Sequence, residues 1–79
     1  MAQFGITKYT KTRYPNTYRM IAKTSKNPSP AYYQIFYVSG RKIVPIGGGS
    51  YRTVAEARKV IKRYATERLH TTNIDIRMT

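Results

Sequence analysis

The sequence predicts an α+β protein in which a three-stranded antiparallel sheet packs on one C-terminal helix, with room for an extra short strand at either terminus. Two observations lead to this class. Runs of aromatic and β-branched residues over residues 17–46 are broken by turn residues, which is typical of antiparallel strands. A helix-capping sequence and a helical apolar period then occupy residues 53–70. The 79 residues are expected to form a single domain, residues 1–79, with one modest core.

The N-terminal residues 1–16 alternate apolar or aromatic side chains with basic ones and end in a proline-containing turn sequence. We expect this segment to be either a short strand or a basic arm. Residues 17–23 predict the first strand of the sheet, because their side chains fall alternately on two faces and one of these faces is apolar. The other face would present Arg19, Ile21 and Lys23.

The strongest strand of the chain is predicted at residues 31–38, which are rich in tyrosine, isoleucine and other residues that favour a pleated surface. Residues 24–30 before it contain two prolines and predict a loop. Gly40 marks a tight turn, so residues 42–46 are expected to return as the third, antiparallel strand. Pro45 in this strand indicates an edge position or a bulge.

The helix is predicted by a capping box at Thr53 and Glu56, in which the hydroxyl of Thr53 accepts from the Glu56 amide. The helix is expected to run from residue 54 to about His70, which we interpret as a residue of the helix C-terminus. One side would pack on the sheet and the opposite side would be basic. The expected apolar stripe is Val54, Ala57, Ile61, Tyr64 and Ala65, and the basic side comprises Arg58, Lys59, Lys62 and Arg63.

After the helix, residues 71–79 alternate Ile74, Ile76 and Met78 with polar residues. This period of two predicts either a tail or an edge strand. Such a strand would pair with the sheet of its own chain or with a second copy in a homodimer.

Charge is the most distinctive property of the composition, since 15 lysines and arginines stand against 3 acidic residues and give a net charge of +12. A net charge of about 2 to 8 is enough to keep a small domain soluble. The excess therefore indicates a polyanionic partner. Basic residues are also interleaved with aromatic ones, which suits nucleic acid because cations meet phosphates and planar rings stack on bases.

The same composition argues against catalysis. Glu56 is used by the helix cap, Glu67 and Asp75 have no evident acid–base partner, and His70 is the one histidine of the sequence. The lack of cysteine excludes disulfides, thiol catalysis and cysteine-bound zinc. We therefore expect a protein that is not an enzyme and that has no metal and no cofactor.

The sequence has no apolar run of the length that a signal peptide or a membrane span needs. We therefore expect no membrane association. The expected location is the cytoplasm, in association with the nucleoid if the source is bacterial or a phage, or the nucleus if the source is eukaryotic.

The sheet face turned away from the helix is the expected binding surface. In the strongest strand, Tyr33, Ile35 and Tyr37 are assigned to the helix side, because the alternate positions include the polar Gln34. The reverse assignment stays open, because Phe36 and Val38 would make good core residues. Gln34 would then be able to contact a base edge, with Tyr32 beside it. The candidate nucleic-acid contacts are Lys11, Arg13, Arg19, Lys23, Tyr32, Gln34, Arg41, Lys42, Arg52, Lys59 and Arg63.

Three glycines at residues 47–49 precede the helix, but they lack the spacing of a phosphate-binding loop. We interpret them as a strand-to-helix turn that needs positive φ angles. The alternative is one backbone phosphate held near Arg52 and the N-terminus of the helix.

The segment Gly49-Ser50-Tyr51-Arg52-Thr53-Val54-Ala55-Glu56-Ala57 resembles the Gly-x-aromatic-x-Thr-x-x-Glu-Ala junction of AP2-type domains and tyrosine-recombinase arm-binding domains. The resemblance implies a three-stranded antiparallel sheet backed by one helix over residues 17–70, with an open sheet face that enters the major groove of DNA. This chain differs from those families in having no tryptophan. Arg19 and Lys23 match only part of the arginine-rich first strand of AP2 domains.

These observations leave three functions open. The first is DNA binding by a small regulator or architectural factor, of the kind found in phages and mobile elements. The second is RNA binding, with aromatic side chains stacking on unpaired bases. The third is an interaction module or inhibitor that docks on an acidic protein surface, because a basic patch recognises carboxylates as well as phosphates.

Overall fold

The computed structural model describes residues 1–25 and 29–78, which form a four-stranded mixed sheet and two helices. The α+β class is as predicted, and a strand is present at each terminus, where an extra strand was considered. The described residues also contain a second helix, which was not predicted. In chain order the elements are β1 (Ala2–Tyr9), α1 (Pro15–Thr24), β2 (Tyr32–Ser39), β3 (Lys42–Tyr51), α2 (Val54–Arg68) and β4 (Ile74–Met78).

Strand β1 lies inside the sheet, whose order is β3-β2-β1-β4. It pairs antiparallel with β2 and parallel with β4. The basic arm offered as one option for residues 1–16 is therefore wrong, and the strand option is correct. Phe4 and Ile6, alternate residues of β1, are 2% and 0% exposed, so this strand supplies part of the hydrophobic core.

The predicted first strand at residues 17–23 is wrong, because these residues belong to helix α1. Tyr18, Ile21 and Ala22 lie three and four residues apart, so they also form one side of a helix. Pro15 occupies the first turn, where its fixed φ favours a helix and its missing N–H costs nothing. The antiparallel sheet predicted over residues 17–46 is instead built from β1, β2 and β3.

Strands β2 and β3 form the predicted hairpin, with Gly40 at φ +60° in its turn. Strand β3 continues to residue 51, beyond the predicted end at residue 46. The register changes from Ile35 opposite Ile46 to Tyr33 opposite Tyr51, so β3 bulges over residues 47–50. The predicted positive φ occurs at Gly47 and Gly49. The predicted loop at residues 24–30 falls in part on residues 26–28, which lie outside the described residues.

Helix α2 begins as predicted, with the Thr53 hydroxyl accepting a hydrogen bond from the Glu56 amide at 3.2 Å. It ends at residue 68, two residues before the predicted end. The amides of Leu69 and Thr71 both donate to the Ala65 carbonyl, and His70 between them has φ +54°. His70 is thus the left-handed residue that closes the helix C-terminus, as its interpretation from the sequence required.

Helix α2 packs on one face of the sheet, and the core lies between them. The predicted apolar stripe is confirmed, because Ala57, Ile61 and Ala65 are buried and Val54 and Tyr64 pack against them. The predicted orientation of β2 is also confirmed: Tyr33, Ile35 and Tyr37 all contact this core.

Strand β4 forms one edge of the sheet, as predicted for the C-terminal residues through Met78, and pairs with β1 of its own chain. Residue 79 lies outside the described residues. Neither of the two helices in the described ranges is long and apolar enough to cross a membrane.

Candidate nucleic-acid interface

The predicted basic contact residues fall into three groups, and each of these side chains is exposed. The first surrounds α1 and is called the α1 cluster below. The second lies at the tip of the β2–β3 hairpin, and the third lies on the outer surface of α2. The α1 cluster comprises Lys11, Arg13, Arg19, Lys23 and Arg52, the hairpin tip carries Arg41 and Lys42, and α2 carries Lys59 and Arg63.

One flank of α1 forms an open depression with an apolar floor and a basic rim. Pro15, Tyr18 and Ala22 supply apolar surface, and Lys11, Arg19 and Lys23 are the other residues that line it. The Lys11 ammonium lies 6.0 Å from the centroid of the Tyr18 ring, at the outer limit of a cation–π contact. Cations and apolar surface are therefore presented together on this flank.

Arg52 lies on the opposite flank of α1. It lines a second depression with Ile21, Thr24 and Ser25 from the end of α1 and with Ser50 from the β3 bulge. Cations therefore border α1 on both sides, although Arg52 comes from a distant part of the sequence.

Helix α1 is attached to the sheet by two tyrosines. The hydroxyl of Tyr18 donates to the carbonyl of Ser29, and the amide of Ser29 donates to the hydroxyl of Tyr32 at 3.0 Å. The two rings lie 5.5 Å apart. Tyr32 is only 2% exposed, so the prediction that it contacts nucleic acid is wrong, because α1 covers it.

The rest of this sheet face, which we call the open sheet face, is nearly neutral. Phe36 and Val38 lie there beside Pro45 and Ile43 of β3, and Ile43 is 67% exposed. On this face of the sheet, the basic side chain that a strand contributes is Arg77. Its Nε lies 3.2 Å from a carboxylate oxygen of Asp75. An ion pair leaves little net charge on this face.

Gln34 lies on the open sheet face, half-buried, and its amide donates to the Ser50 hydroxyl at 3.5 Å. The expected basic neighbours of Gln34, Arg19 and Lys23, lie on α1 and not on a strand of this face. The basic, aromatic sheet face that the sequence predicted is therefore not formed by these strands. The cations that were assigned to it surround the helix instead.

The other two groups are less concentrated. Lys59 and Arg63 line the groove between α2 and β3, but Glu56 and Glu67 line the same side of the helix. The hairpin tip lies at the far end of β2 from Tyr32, roughly 25 Å away at about 3.3 Å per residue. Among the predicted contact residues, the α1 cluster is therefore the largest group, with five exposed cations against two in each of the others.

The distribution of acids along the chain reinforces this difference. Residues 1–55 contain nine lysines and arginines and no acidic residue, whereas residues 56–79 contain six basic residues and all three acids. Helix α1 and the turn before it belong to the acid-free part, so the positive potential there is not reduced by neighbours in sequence.

Two exposed residues of α1, Asn16 and Met20, were not predicted as contacts. They lie on the same side of the helix as Arg19 and Lys23. Their spacing would have revealed them had residues 15–24 been recognised as a helix. Met20 is 72% exposed, so its side chain is accessible to a partner.

No protein-family model, curated protein or solved structure matches this chain. Within residues 1–25 and 29–78, there is no group of three or more histidine, aspartate and glutamate side chains placed to hold a metal ion.

Proposed function

We propose that this protein is a non-catalytic DNA-binding protein, a small regulator or architectural factor that contacts the phosphate backbone through the α1 cluster. The observation that carries the proposal is the concentration of exposed cations around a helix in the acid-free part of the chain. Duplex DNA has one negative charge per roughly 1.7 Å of its axis, so a compact group of cations neutralises several phosphates at once.

The shape of the cluster supports a duplex over a single strand. Single-stranded RNA and DNA are usually held on a sheet whose exposed aromatic rings stack on bases. Here Tyr32 is buried under α1, and Tyr9 and Phe36 on the same face of the sheet are only half-exposed. A helix with an exposed basic side is better suited to a double helix, whose major groove admits an α-helix.

The three acids also fit a binding protein better than an enzyme. Glu56 lies in the first turn of α2, where its amide is part of the cap, and Asp75 is paired with Arg77. Glu67 lines the groove beside Arg63. Each acid is thus next to a basic group or a helix terminus, and none of them is placed against another carboxylate as general acid–base catalysis often requires.

The test is the salt dependence of binding to a 20-base-pair duplex, measured by fluorescence anisotropy between 50 and 200 mM salt. If the five cations of the α1 cluster each contact one phosphate, the log–log slope is about −4.5 and affinity falls by about two to three orders of magnitude. No binding at low salt, or a slope near zero, would remove the proposal.

The matched control is the single strand of the same sequence. Tighter binding to the single strand would favour the alternative in which aromatic side chains stack on unpaired bases, as in RNA binding. If the protein binds neither the duplex nor the single strand, and a protein partner is recovered from nuclease-treated lysate, the results would favour an interaction module that docks on an acidic protein surface.

A further inference from the structure

Helix α1 presents one uninterrupted stripe of exposed side chains. Asn16, Arg19, Met20 and Lys23 are all exposed, and their spacing of three, four and seven residues places them within about 100° of the helix circumference. The stripe is centred opposite Tyr18, the buried residue that attaches the helix to the sheet. The outward side of α1 is therefore defined by its attachment.

We infer that α1 enters the major groove of duplex DNA and that this stripe contacts base edges, an inference that rests on the proposed function. Each residue type matches a group that the major groove exposes. Asparagine pairs with the N6 and N7 edge of adenine, arginine and lysine bond to O6 and N7 of guanine, and an apolar side chain contacts the thymine methyl. Lysine also suits a neighbouring phosphate.

The dimensions of α1 agree with those of the groove. Its 10 residues make a helix about 15 Å long and about 10 to 12 Å across with side chains. The major groove is about 12 Å wide and about 8.5 Å deep. Helix α2 lies on the other face of the sheet, so it does not obstruct the approach of α1 to DNA.

The flanking cations fit the same arrangement. Lys11 lies beside one flank of α1 and Arg52 beside the other. A helix in the groove has a sugar–phosphate backbone on each side, so these two cations are placed to meet phosphates of opposite strands. The bonds of Tyr18 and Tyr32 to Ser29 hold α1 in one orientation before DNA binds, which reduces the cost of ordering it.

The experiment begins with selection of bound sequences from a pool of random 20-base-pair duplexes. We expect the pool to converge on a short motif, and methylation of guanine N7 within the motif to interfere with binding. The variant that carries both Asn16→Ala and Met20→Ala removes no charge. Its affinity for the selected duplex, relative to the unselected pool, should fall by about 10- to 100-fold, as the loss of specific base contacts predicts.

The matched control changes the same residue types elsewhere, at the exposed Asn73 and Met78. The double variant Asn73→Ala, Met78→Ala should keep the preference of the wild type. If the protein binds the duplexes with steep salt dependence but the selected pool does not converge on a sequence motif, the major-groove inference is overturned and the proposed function stands. Equal loss in the two double variants would also overturn it. If no duplex binds at low salt, both fall.

Discussion

Tyr18 and Tyr32 are joined through a single residue: their hydroxyls bond to the carbonyl and the amide of Ser29, while their rings lie 5.5 Å apart at 45°. One tyrosine comes from α1 and the other from β2. Both polar groups of the Ser29 backbone are thus satisfied by side chains, as a buried peptide requires. This arrangement fixes α1 to the sheet and hence fixes the direction in which its basic side points.

The first prediction concerns this attachment. Tyr18→Ala should destabilise the fold by about 3 to 5 kcal/mol, because it removes a buried aromatic ring. Tyr18→Phe keeps the ring and should cost only about 1 kcal/mol for the lost hydrogen bond. Chemical denaturation measures both changes. Met20→Ala on the exposed side of α1 serves as the control and should shift stability by less than about 0.5 kcal/mol. Equal effects of the alanine variants at residues 18 and 20 would contradict the attachment.

The secondary structure of residues 15–24 shows where prediction from the sequence reached its limit. Tyr18, Met20 and Ala22 satisfy a period of two, whereas Tyr18, Ile21 and Ala22 satisfy a helical period, and ten residues are too few to separate them. Tertiary packing stabilises the helical form, in which the Tyr18 ring packs against Tyr32. Helix α2 is fifteen residues long and begins with a cap, so its prediction succeeded.

The second prediction concerns Gly47 in the β3 bulge. Its φ of +85° is left-handed, and an added Cβ would overlap the hydroxyl of Tyr51 and lie 3.3 Å from Cδ1 of Ile35. Gly47→Ala should therefore cost more than about 2 kcal/mol, because the left-handed backbone alone costs about 1 to 2 kcal/mol. Thermal or chemical denaturation measures the loss.

Gly5 is the matched control for Gly47, since it also lies in a strand. An added Cβ at Gly5 would have the Arg77 carbonyl oxygen, 3.9 Å away, as its nearest described neighbour. Gly5→Ala should be neutral or should stabilise the fold by up to about 1 kcal/mol, because alanine reduces the freedom of the unfolded chain. A Gly47→Ala variant as stable as Gly5→Ala would contradict both the left-handed backbone at residue 47 and the packing of Tyr51 over the bulge.

The third prediction concerns the start of α2. Thr53→Ala removes the hydroxyl that accepts from the Glu56 amide, and loss of such a cap typically costs about 1 kcal/mol. Thr66→Ala, at an exposed position inside the same helix, is the control and should be neutral or slightly stabilising. An unchanged midpoint for Thr53→Ala in thermal denaturation would place the helix start elsewhere.

The candidate site was predicted by residue type better than by position. Arg19 and Lys23 were selected correctly as exposed cations, but they were assigned to a strand beside Gln34 when they lie on a helix. Arg52 joins them because the β3 bulge turns toward the end of α1. Pro45 and the three glycines indicated an irregular backbone at this point of the strand, but they did not indicate which element the bulge would approach.

The last prediction compares one pair of exposed cations on each helix. The variants Arg19→Ala with Lys23→Ala on α1, and Lys59→Ala with Arg63→Ala on α2, each remove two positive charges. Their effect on long-range attraction should therefore be similar. The two variants should differ only where the removed side chains contact phosphates or bases directly. The α1 variant should therefore bind duplex DNA more weakly than the α2 variant.

The salt dependence gives a second measure in the same experiment. If both α1 cations contact phosphates, the magnitude of the log–log slope should fall by about 2 in the α1 variant. The α2 variant should keep the wild-type slope, because its cations would contribute through the general field and not through bound phosphates. If the α2 variant loses as much affinity as the α1 variant, or more, the α1 cluster is not the DNA-binding surface. Binding would then depend on α2 or on charge spread over the whole molecule.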